Sequence, residues 1–556
     1  MQCQQTDNNT GCKTVGVCSK TPEVANLQDV LINQLQRLSY YVVRSNLSDA
    51  ETSSVGSFIA KALFSTMTNV NFDPQRMKEE IVETVARTEK LAGSASQHPP
   101  KGTVRGVSLD LGSAQQTQQL GTETLAQLGH EIGVEARRAT APSADVWSVR
   151  ELILYGLKGT SAYADHAHEL DSGDLGVWKS LPRYLDAISP FGANVHDLGA
   201  LLGVALEVGA TNVRVMQMLD EGHNERFGPM APTAVSHTPK AGPCVLVSGH
   251  DLLDFYELCK AAEGRGVNIF SHGELLPAGA RPKINSLSSF AGHFGGPWQL
   301  QRGEFPVFPG PIVLTTNCLM EPRKSYVDRL YTRSVVGFKG VKHLTSRQQF
   351  KEVIDHALRL PPMPPPPASP PRTITTGFGH QAILSVADTI VAAVKSGAIK
   401  NFLLVGGCDG AAGERNYFRD VVMESPKDSV VLTLACGKYR FIDKQYELGE
   451  IGGIPRLLDM GQCNDAYGAV VVATALQKAL GLNSINDLPL SFYVSWYEQK
   501  AVAVLLSLLH LGVQNIHLGP TLPAFITPNV LNVLVEKFNI APTTTAGADM
   551  AKLLKQ

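Results

Sequence analysis

The run Cys244-Val245-Leu246-Val247-Ser248, the segment Leu252 to Glu263, and the run Val267-Asn268-Ile269-Phe270 together decide the reading of the fold. Two short apolar runs flank a stretch of helical length. A strand covered on both faces reads as a continuous apolar run, so this pattern describes parallel strands joined by a crossover helix. The texture recurs at Ile312 to Thr316. It returns at Asn401 to Val405, Val430 to Leu434, Leu490 to Val494 and Ile516 to Leu518, with a helix over Lys500 to Leu511. Between the two regions, Pro361, Pro362 and Pro364 to Pro367 exclude a helix interior or a central strand, so Leu360 to Arg372 reads as an extended linker or surface loop.

The texture before residue 220 is different. Asn26 to Arg44, Asp73 to Leu91, Ala114 to Gly129 and Ser148 to Leu170 carry apolar residues at three- and four-residue intervals, the signature of packed helices. The expected architecture is therefore multi-domain, α + α/β. A helical bundle domain with the N-terminal cysteines spans 1–222, a first Rossmann-like α/β domain spans 223–372 and ends in the proline-rich linker, and a second spans 373–556. Both sheets are expected to be mainly parallel. A length of 556 residues agrees, since domains usually hold roughly 100 to 200 residues.

Composition narrows the function. With 44% apolar and 18% charged residues the chain is globular, and a net charge of -2 without a basic, aromatic-studded tract gives no footprint for nucleic acid. No apolar run reaches the roughly 18 to 20 residues of a membrane span, and the start shows no signal-peptide core. Nine cysteines are too few for a disulfide scaffold in a chain this long. A reducing, cytoplasmic compartment is expected, where thiols serve metals, catalysis or packing.

The positions of potential ligands carry the chemistry. His250 follows Val245 to Val247, Glu274 follows Val267 to Phe270, and Cys318 follows Ile312 to Leu314. Cys408 follows Phe402 to Val405, Cys436 follows Val430 to Leu434, and Glu498 follows Phe492 to Val494. All six lie at or just past the carboxyl ends of expected parallel strands, where open α/β sheets place their ligand crevices. Cys463, at the entry to an apolar helix, could join them. Thiolates alone suit an electron-transfer cluster; imidazole and carboxylate add harder donors and leave irons with positions open to a small substrate.

Each residue also has an ordinary role. A single buried cysteine is usually core, a lone glutamate is usually solvated, and His250 could cap the helix beginning at Asp251. The joint placement at strand ends outweighs those readings. Cys244, which begins a strand, and Cys259, inside a helix, are assigned to packing. His166 and His168 stand two apart on a helix, about 200° around it, and cannot chelate one ion together. The glycine spacing of Gly407, Gly410 and Gly413 is a weak phosphate-loop signal that a close backbone approach explains equally. At the amino end, Cys3, Cys12 and Cys18 sit in a Gly- and Asn-containing loop with the close spacing of a cubane site, which normally needs four thiolates.

Seven motifs fix a resemblance: Gly249-His250-Asp251-Leu252, Ser271 to Pro277, Thr315-Thr316-Asn317-Cys318, Gly406 to Gly410, Leu434-Ala435-Cys436-Gly437, Asp459 to Asp465 and Ser495 to Lys500. Nearly end to end, the sequence resembles the class I hybrid cluster proteins, the hydroxylamine reductase or prismane family. The resemblance implies that His250, Glu274, Cys318, Cys408, Cys436, Cys463 and Glu498 bind a hybrid [4Fe-2S-2O] cluster at the domain interface, with Cys408 at the persulfide position. It implies a [4Fe-4S] cluster on the N-terminal cysteines. The related carbon monoxide dehydrogenases share the architecture, but their nickel-site cysteine pattern is not present.

One departure stands at the start. Class members open with Cys-x-x-Cys and then gaps of eight and five residues, and Cys3, Cys12 and Cys18 reproduce those two gaps. Cys3 is then the second ligand, the ligand set in this chain is incomplete, and the first cysteine is expected one residue before Met1. A lost upstream segment could have carried an organelle address.

The resemblance implies reduction of hydroxylamine to ammonia and water, with electrons entering through the N-terminal cluster from a ferredoxin-like protein or a separate reductase. Proton donors are expected among His250, Glu274, Glu498 and Lys500. Reduction of nitric oxide to nitrous oxide at the same cluster is the enzymatic alternative. A nitrosative-stress sensor or S-nitrosylating factor working through Cys408 is the alternative of another class.

Overall fold

The computed structural model of the chain describes residues 1–93, 109–192, 195–366, 368 and 370–553. Its first part is helical. Long helices run over Pro22–Arg44, Asp49–Ser65, Pro74–Ala92, Ala144–Glu169, Leu175–Ala187 and Leu198–Phe227. Each starts on a residue able to satisfy an orphan backbone N–H. Thr21, Ser48, Asp73, Ser143, Asp174 and Asp197 all accept from the first turn, and Ser48 forms a reciprocal capping box with Glu51. The helix expected over Ala114 to Gly129 is two, Ala114–Gln119 and Thr122–Ile132. Gly121 between them is extended and caps the second.

The Ala144–Glu169 helix is buried along almost its whole length. It buries Asp165 (3% exposed), and burial raises that carboxyl from 3.8 to about 7. Between those values the folded chain holds a proton that the unfolded chain has lost. The stabilisation is complete below about pH 4 and disappears as pH rises through 7. In Asp165→Asn, the fall in stability between pH 5 and pH 8 is expected to shrink by about 3 kcal/mol. Urea midpoints at the two pH values measure it.

Two six-stranded sheets follow among the described residues, and every strand pair within them is parallel. In spatial order the first contains Phe290–His293, Asn268–Ser271, Cys244–Ser248, Ile312–Leu314, Leu330–Arg333 and Lys342–Leu344. The second contains Leu457–Asp459, Ser429–Thr433, Asn401–Gly407, Leu490–Ser495, Ile516–Gly519 and Ala541–Pro542. Counted along the chain, both sheets have the order 3-2-1-4-5-6. The direction of winding reverses between the first and fourth strands, and that reversal opens a crevice beyond their carboxyl ends.

A small antiparallel pair, Thr233–Ser236 with Thr373–Thr376, lies outside both sheets. The proline-rich stretch runs without regular structure from 361 to 366, except that Met363 exchanges two backbone hydrogen bonds with Gly242 (2.8 and 3.0 Å). It is an extended surface segment pinned beside the strand that begins at Cys244. Positions 367 and 369 lie outside the described residues.

The helical part is locked to the second sheet through the helix Gln499–His510, which packs on both Ala144–Glu169 and Leu198–Phe227. The approach is close enough to require glycine. A Cβ at Gly159 would lie 2.3 Å from the Gln499 carbonyl oxygen, and one at Gly209 would lie 2.1 Å from that of Leu506. Leu198–Phe227 has the length and composition of a membrane span. It carries buried Asn212, Asp220 and His223 and serves as a packing helix.

Candidate metal centre

Five of the seven candidate donors are preceded directly by a residue with positive φ. Gly249 (113°) precedes His250, Gly273 (57°) precedes Glu274, and Asn317 (41°) precedes Cys318, which is itself at 60°. Gly407 (116°) precedes Cys408, and Ala435 (67°) precedes Cys436. Gly461 (120°) stands two residues before Cys463. A left-handed residue at the end of a strand turns the chain sharply, and the following side chain leaves the pleat. At Ala435, with ψ -171°, the conformation is one that glycine ordinarily takes. Such a position costs roughly 1–3 kcal/mol, held here by the surrounding structure. Glu498 uses another device: it caps Gln499–His510, its Oε2 accepting from Lys500 N at 2.9 Å.

These turns deliver all seven side chains to one buried cavity. His250, Glu274, Cys318, Cys408, Cys436, Cys463 and Glu498 line it together with Asn69, Trp298, Asn317, Asp409, Ala435 and Tyr497. Ligating atoms of His250, Glu274 and Cys463 lie within 4.8 Å of one another. His250 Nε2 is 3.9 Å from Glu274 Oε2, which accepts from Cys463 N at 3.1 Å, and Cys408 Sγ is 3.9 Å from Glu498 Oε1. Lys500 stands just outside, its Nζ donating to Asn464 Oδ1 at 3.4 Å and lying 5.7 and 5.5 Å from the ring centres of Phe64 and Tyr163.

The electrostatics set out what the cavity needs. Burial, then Glu498 and Cys463, raises the Cys408 thiol far above its usual range, and burial raises Cys463. The neighbouring Cys318 and then burial do the same to Cys436. Burial raises Glu274 and Glu498, and burial followed by Lys500 and His166 keeps His250 neutral. The thiols of Cys408, Cys436 and Cys463 and the carboxyls of Glu274 and Glu498, gathered in one buried cavity, can ionise together only beside a multiply charged cationic group. Two buried donor atoms, His250 Nδ1 and Glu274 Oε1, have no hydrogen-bond partner among the described residues. Sulfur, imidazole and carboxylate donors of this kind fit an iron–sulfur group.

Several residues that complete the site carry no local signal. Gln462 Nε2 donates to the carbonyls of Glu274 (2.7 Å) and His250 (3.3 Å), so one amide of the second sheet braces two loops of the first. Trp298 Nε1 donates to Asp409 O at 3.1 Å, and its ring stands 5.2 Å from that of Tyr497. Arg415, fully buried, donates to Cys408 O, Ser495 Oγ, Trp496 O and Gln4 Oε1. Asn69 and Trp298 come from segments far away in sequence, and nothing in their neighbours marks them. Gln462 was visible only as a motif position beside Cys463.

At the amino end, Cys3 is buried, Cys18 half-buried and Cys12 exposed. Burial, with Cys18 and Cys12 adding, pushes the Cys3 thiol up to about 12, so Cys18 and Cys12 each lie within electrostatic reach of Cys3. Gln4 N donates to Tyr497 O at 2.9 Å, and Gln2 Oε1 accepts from both Lys158 Nζ and Gln499 Nε2 at 2.9 Å. The N-terminal loop therefore rests directly on the loop that carries Glu498. Cys244 and Cys259 are buried in apolar clusters. His166 sits 3.9 Å from Asp251, while His168 stacks edgewise on Trp178.

In the Gly407 to Gly413 loop, the first glycine is required by packing: a Cβ there would lie 2.0 Å from the Ser495 carbonyl oxygen. Gly407→Ala is expected to push the Cys408 and Glu498 loops apart at a cost of about 1–3 kcal/mol. Iron bound per chain and the denaturation midpoint should both fall.

Residues 1–551 match the Prismane/CO dehydrogenase family. A protein named hydroxylamine reductase from Geobacter metallireducens is 44% identical over 556 residues, covering 100% of this chain and 99% of its own length. One of the same name from Zymomonas mobilis is 45% identical over 555 residues, covering 100% and 98%. Among solved structures, carbon monoxide dehydrogenase from Thermococcus sp. AM4 superposes with a TM-score of 0.56 at 16% identity, covering 100% of this chain and 90% of that one. Carbon monoxide dehydrogenase IV from Carboxydothermus hydrogenoformans gives 0.55 at 15%, covering 99% and 90%. These two likenesses concern the fold alone.

Proposed function

The chain belongs to the Prismane/CO dehydrogenase family, in its class I hydroxylamine reductase (hybrid cluster protein) branch, and from that premise we propose that it reduces hydroxylamine: NH2OH + 2 e− + 2 H+ gives NH3 + H2O. The observation that carries this reading is the convergence of seven sulfur, nitrogen and oxygen donors on one buried cavity. His250, Glu274, Cys318, Cys408, Cys436, Cys463 and Glu498 would hold a hybrid [4Fe-2S-2O] cluster. Cys3, Cys12 and Cys18 would hold a [4Fe-4S] cluster. When bound, such a group supplies electrons and a Lewis-acidic iron to the N–O bond.

The chain's own side chains do the rest. Trp298, Tyr497 and Asn69 complete the lining of the cavity. The nitrogen and the leaving oxygen each need a proton. Of the candidate donors, Lys500 is the one not counted among the ligands, and its Nζ would carry the proton inward. Electrons would arrive at the N-terminal loop from a ferredoxin-like protein or a separate reductase, in a reducing, cytoplasm-like compartment consistent with nine free cysteines.

One observation favours a second substrate, nitric oxide, by 2 NO + 2 e− + 2 H+ giving N2O + H2O. An almost wholly apolar cavity beneath the second sheet is lined by Gly406, Gly407, Leu434 and Ala466, next in the chain to the Cys408, Cys436 and Cys463 loops. It suits a small uncharged molecule better than a hydrogen-bonding one. Anaerobic turnover with 15N-labelled hydroxylamine and, separately, labelled nitric oxide decides between them. Ammonium formed at two electrons per hydroxylamine supports the first reading. Nitrous oxide from nitric oxide with hydroxylamine left untouched replaces it. Modified partner proteins without substrate consumption would point instead to the nitrosylating role.

A further inference from the structure

The Gly407 to Gly413 loop has a second packing constraint, at Gly410. A Cβ there would lie 2.9 Å from Gln5 Oε1 and 3.2 Å from Arg415 Nε, so the loop leaves room for the N-terminal segment and for a guanidinium. Arg415 closes the short helical turn Gly413–Arg415 that leads into the helix Asn416–Met423, and none of its surface is exposed.

Its hydrogen bonds reach three loops. Nη1 donates to Cys408 O at 2.9 Å and to Ser495 Oγ at 2.7 Å; Nη2 donates to Trp496 O at 2.9 Å and to Gln4 Oε1 at 2.7 Å. Cys408 is itself a candidate donor, Trp496 stands two residues before Glu498, and Gln4 is next to Cys3. The Tyr497 hydroxyl is within electrostatic reach of Cys3, Cys18 and Arg415 alike. The charge is poorly compensated, because a guanidinium keeps its proton in proteins. Its ion-pair partner Asp409 is 3.9 Å away and is already held through both oxygens by Arg440 Nε, at 3.1 and 3.0 Å. Two guanidiniums therefore share one carboxylate.

We propose that Arg415 is a positioning residue shared by the two candidate centres: it straps the Cys3 loop to the Cys408 and Glu498 loops, and its charge favours electron uptake at both. The inference rests on the two-cluster reading above. An iron–sulfur group gains negative charge on reduction, so a fixed positive charge beside it stabilises the reduced state.

Two measurements on the full-length protein as purified test this, and neither reads turnover. Hydrogen exchange at the amides of Gln4 and Thr6 should be about tenfold faster in Gln4→Ala and in Arg415→Met, because the strap is cut. Exchange in the helix Leu252–Ala262 should stay parental and reports an intact fold. In a redox titration followed by electron paramagnetic resonance, Arg415→Met should lower the midpoints of both clusters. The reduced-to-oxidised ratio at a fixed potential should fall about tenfold, or about 59 mV for one electron. Arg415→Lys, which keeps the charge, should stay near the parent, and Gln4→Ala should leave the hybrid midpoint in place. Arg415→Gln repeats the redox measurement where Arg415→Met loses iron. The proposal is overturned by parental exchange in both Gln4→Ala and Arg415→Met, or by parental midpoints in an iron-loaded neutral variant. It is equally overturned if Arg415→Lys shifts the midpoints, or sheds iron, as much as the neutral variants do. A parent chain that binds no iron removes the two-cluster reading instead, and leaves the strap to be judged by exchange alone.

Discussion

Glu274→Ala is expected to lower turnover by more than the roughly 100-fold that loss of an outer partner of a metal ligand costs, and to change the spectrum of the bound cluster. Glu274 is central to the nitrogen–oxygen–sulfur corner of the cavity: its Oε2 accepts from Cys463 N and faces His250 Nε2, while its Oε1 is buried without a hydrogen-bond partner among the described residues. The carboxylate is held in place by hydrogen bonds made elsewhere, since Gln462 grips the Glu274 carbonyl and the preceding Gly273 sets the turn. The alanine variant should therefore fold with an unaltered helical and sheet content and still lose iron. Glu274→Gln keeps the shape and one acceptor oxygen but not the charge, and belongs between the two. An alanine variant with parental turnover and an unchanged cluster spectrum would remove Glu274 from the donor set.

Lys438→Met is expected to produce the largest loss of stability, about 3–5 kcal/mol, because it strands a buried carboxylate. Lys438 and Asp459 are both fully buried; the ammonium donates to Asp459 Oδ1 at 2.8 Å, to Oδ2 at 3.1 Å and to Gly461 O at 2.8 Å. Burial alone would lower the Lys438 ammonium, but Asp459 and Glu274 together outweigh it and hold Lys438 above its ordinary range. The pair also supports the site, because Lys438 stands two residues after Cys436 and Gly461 two before Cys463. The double variant Lys438→Met/Asp459→Asn carries no stranded charge and should recover most of the loss in a urea titration. If it is no more stable than Lys438→Met, the buried-charge account fails.

The strands that were legible are those buried on both faces. Cys244–Ser248, Ser429–Thr433 and Leu490–Ser495 are nearly pure apolar runs, and they form the central parts of their sheets. Lys342–Leu344 and Ala541–Pro542 lie at sheet edges, are three and two residues long, and contain a charged residue and a proline respectively, so no apolar run announces them. Leu330–Arg333 mixes Thr and Arg into a short strand and was equally silent. Helix ends were displaced by a few residues, and the Ala114 to Gly129 segment was read as continuous because its apolar spacing carries across Gly121.

The candidate donors were legible because parallel strands end where ligands gather, so position along the chain translated into position in space. Gln462, Trp298, Asn69 and Arg415 act through contacts between distant segments, which no window of sequence displays. Lys500 was found through its motif. Its standing over the Phe64 and Tyr163 rings depends on how the helical part docks.

The division of donors between the sheets has a consequence for how the protein is made. His250, Glu274 and Cys318 follow strands of the first sheet; Cys408, Cys436, Cys463 and Glu498 follow strands of the second. On the proposed reading, a nascent chain that has completed only its first sheet presents a single thiol, an imidazole and a carboxylate, too poor a set to capture a four-iron group. The set is whole only after Glu498 has left the ribosome. Cofactor insertion is then a late event in biogenesis, one that waits for strands of both sheets to have been made.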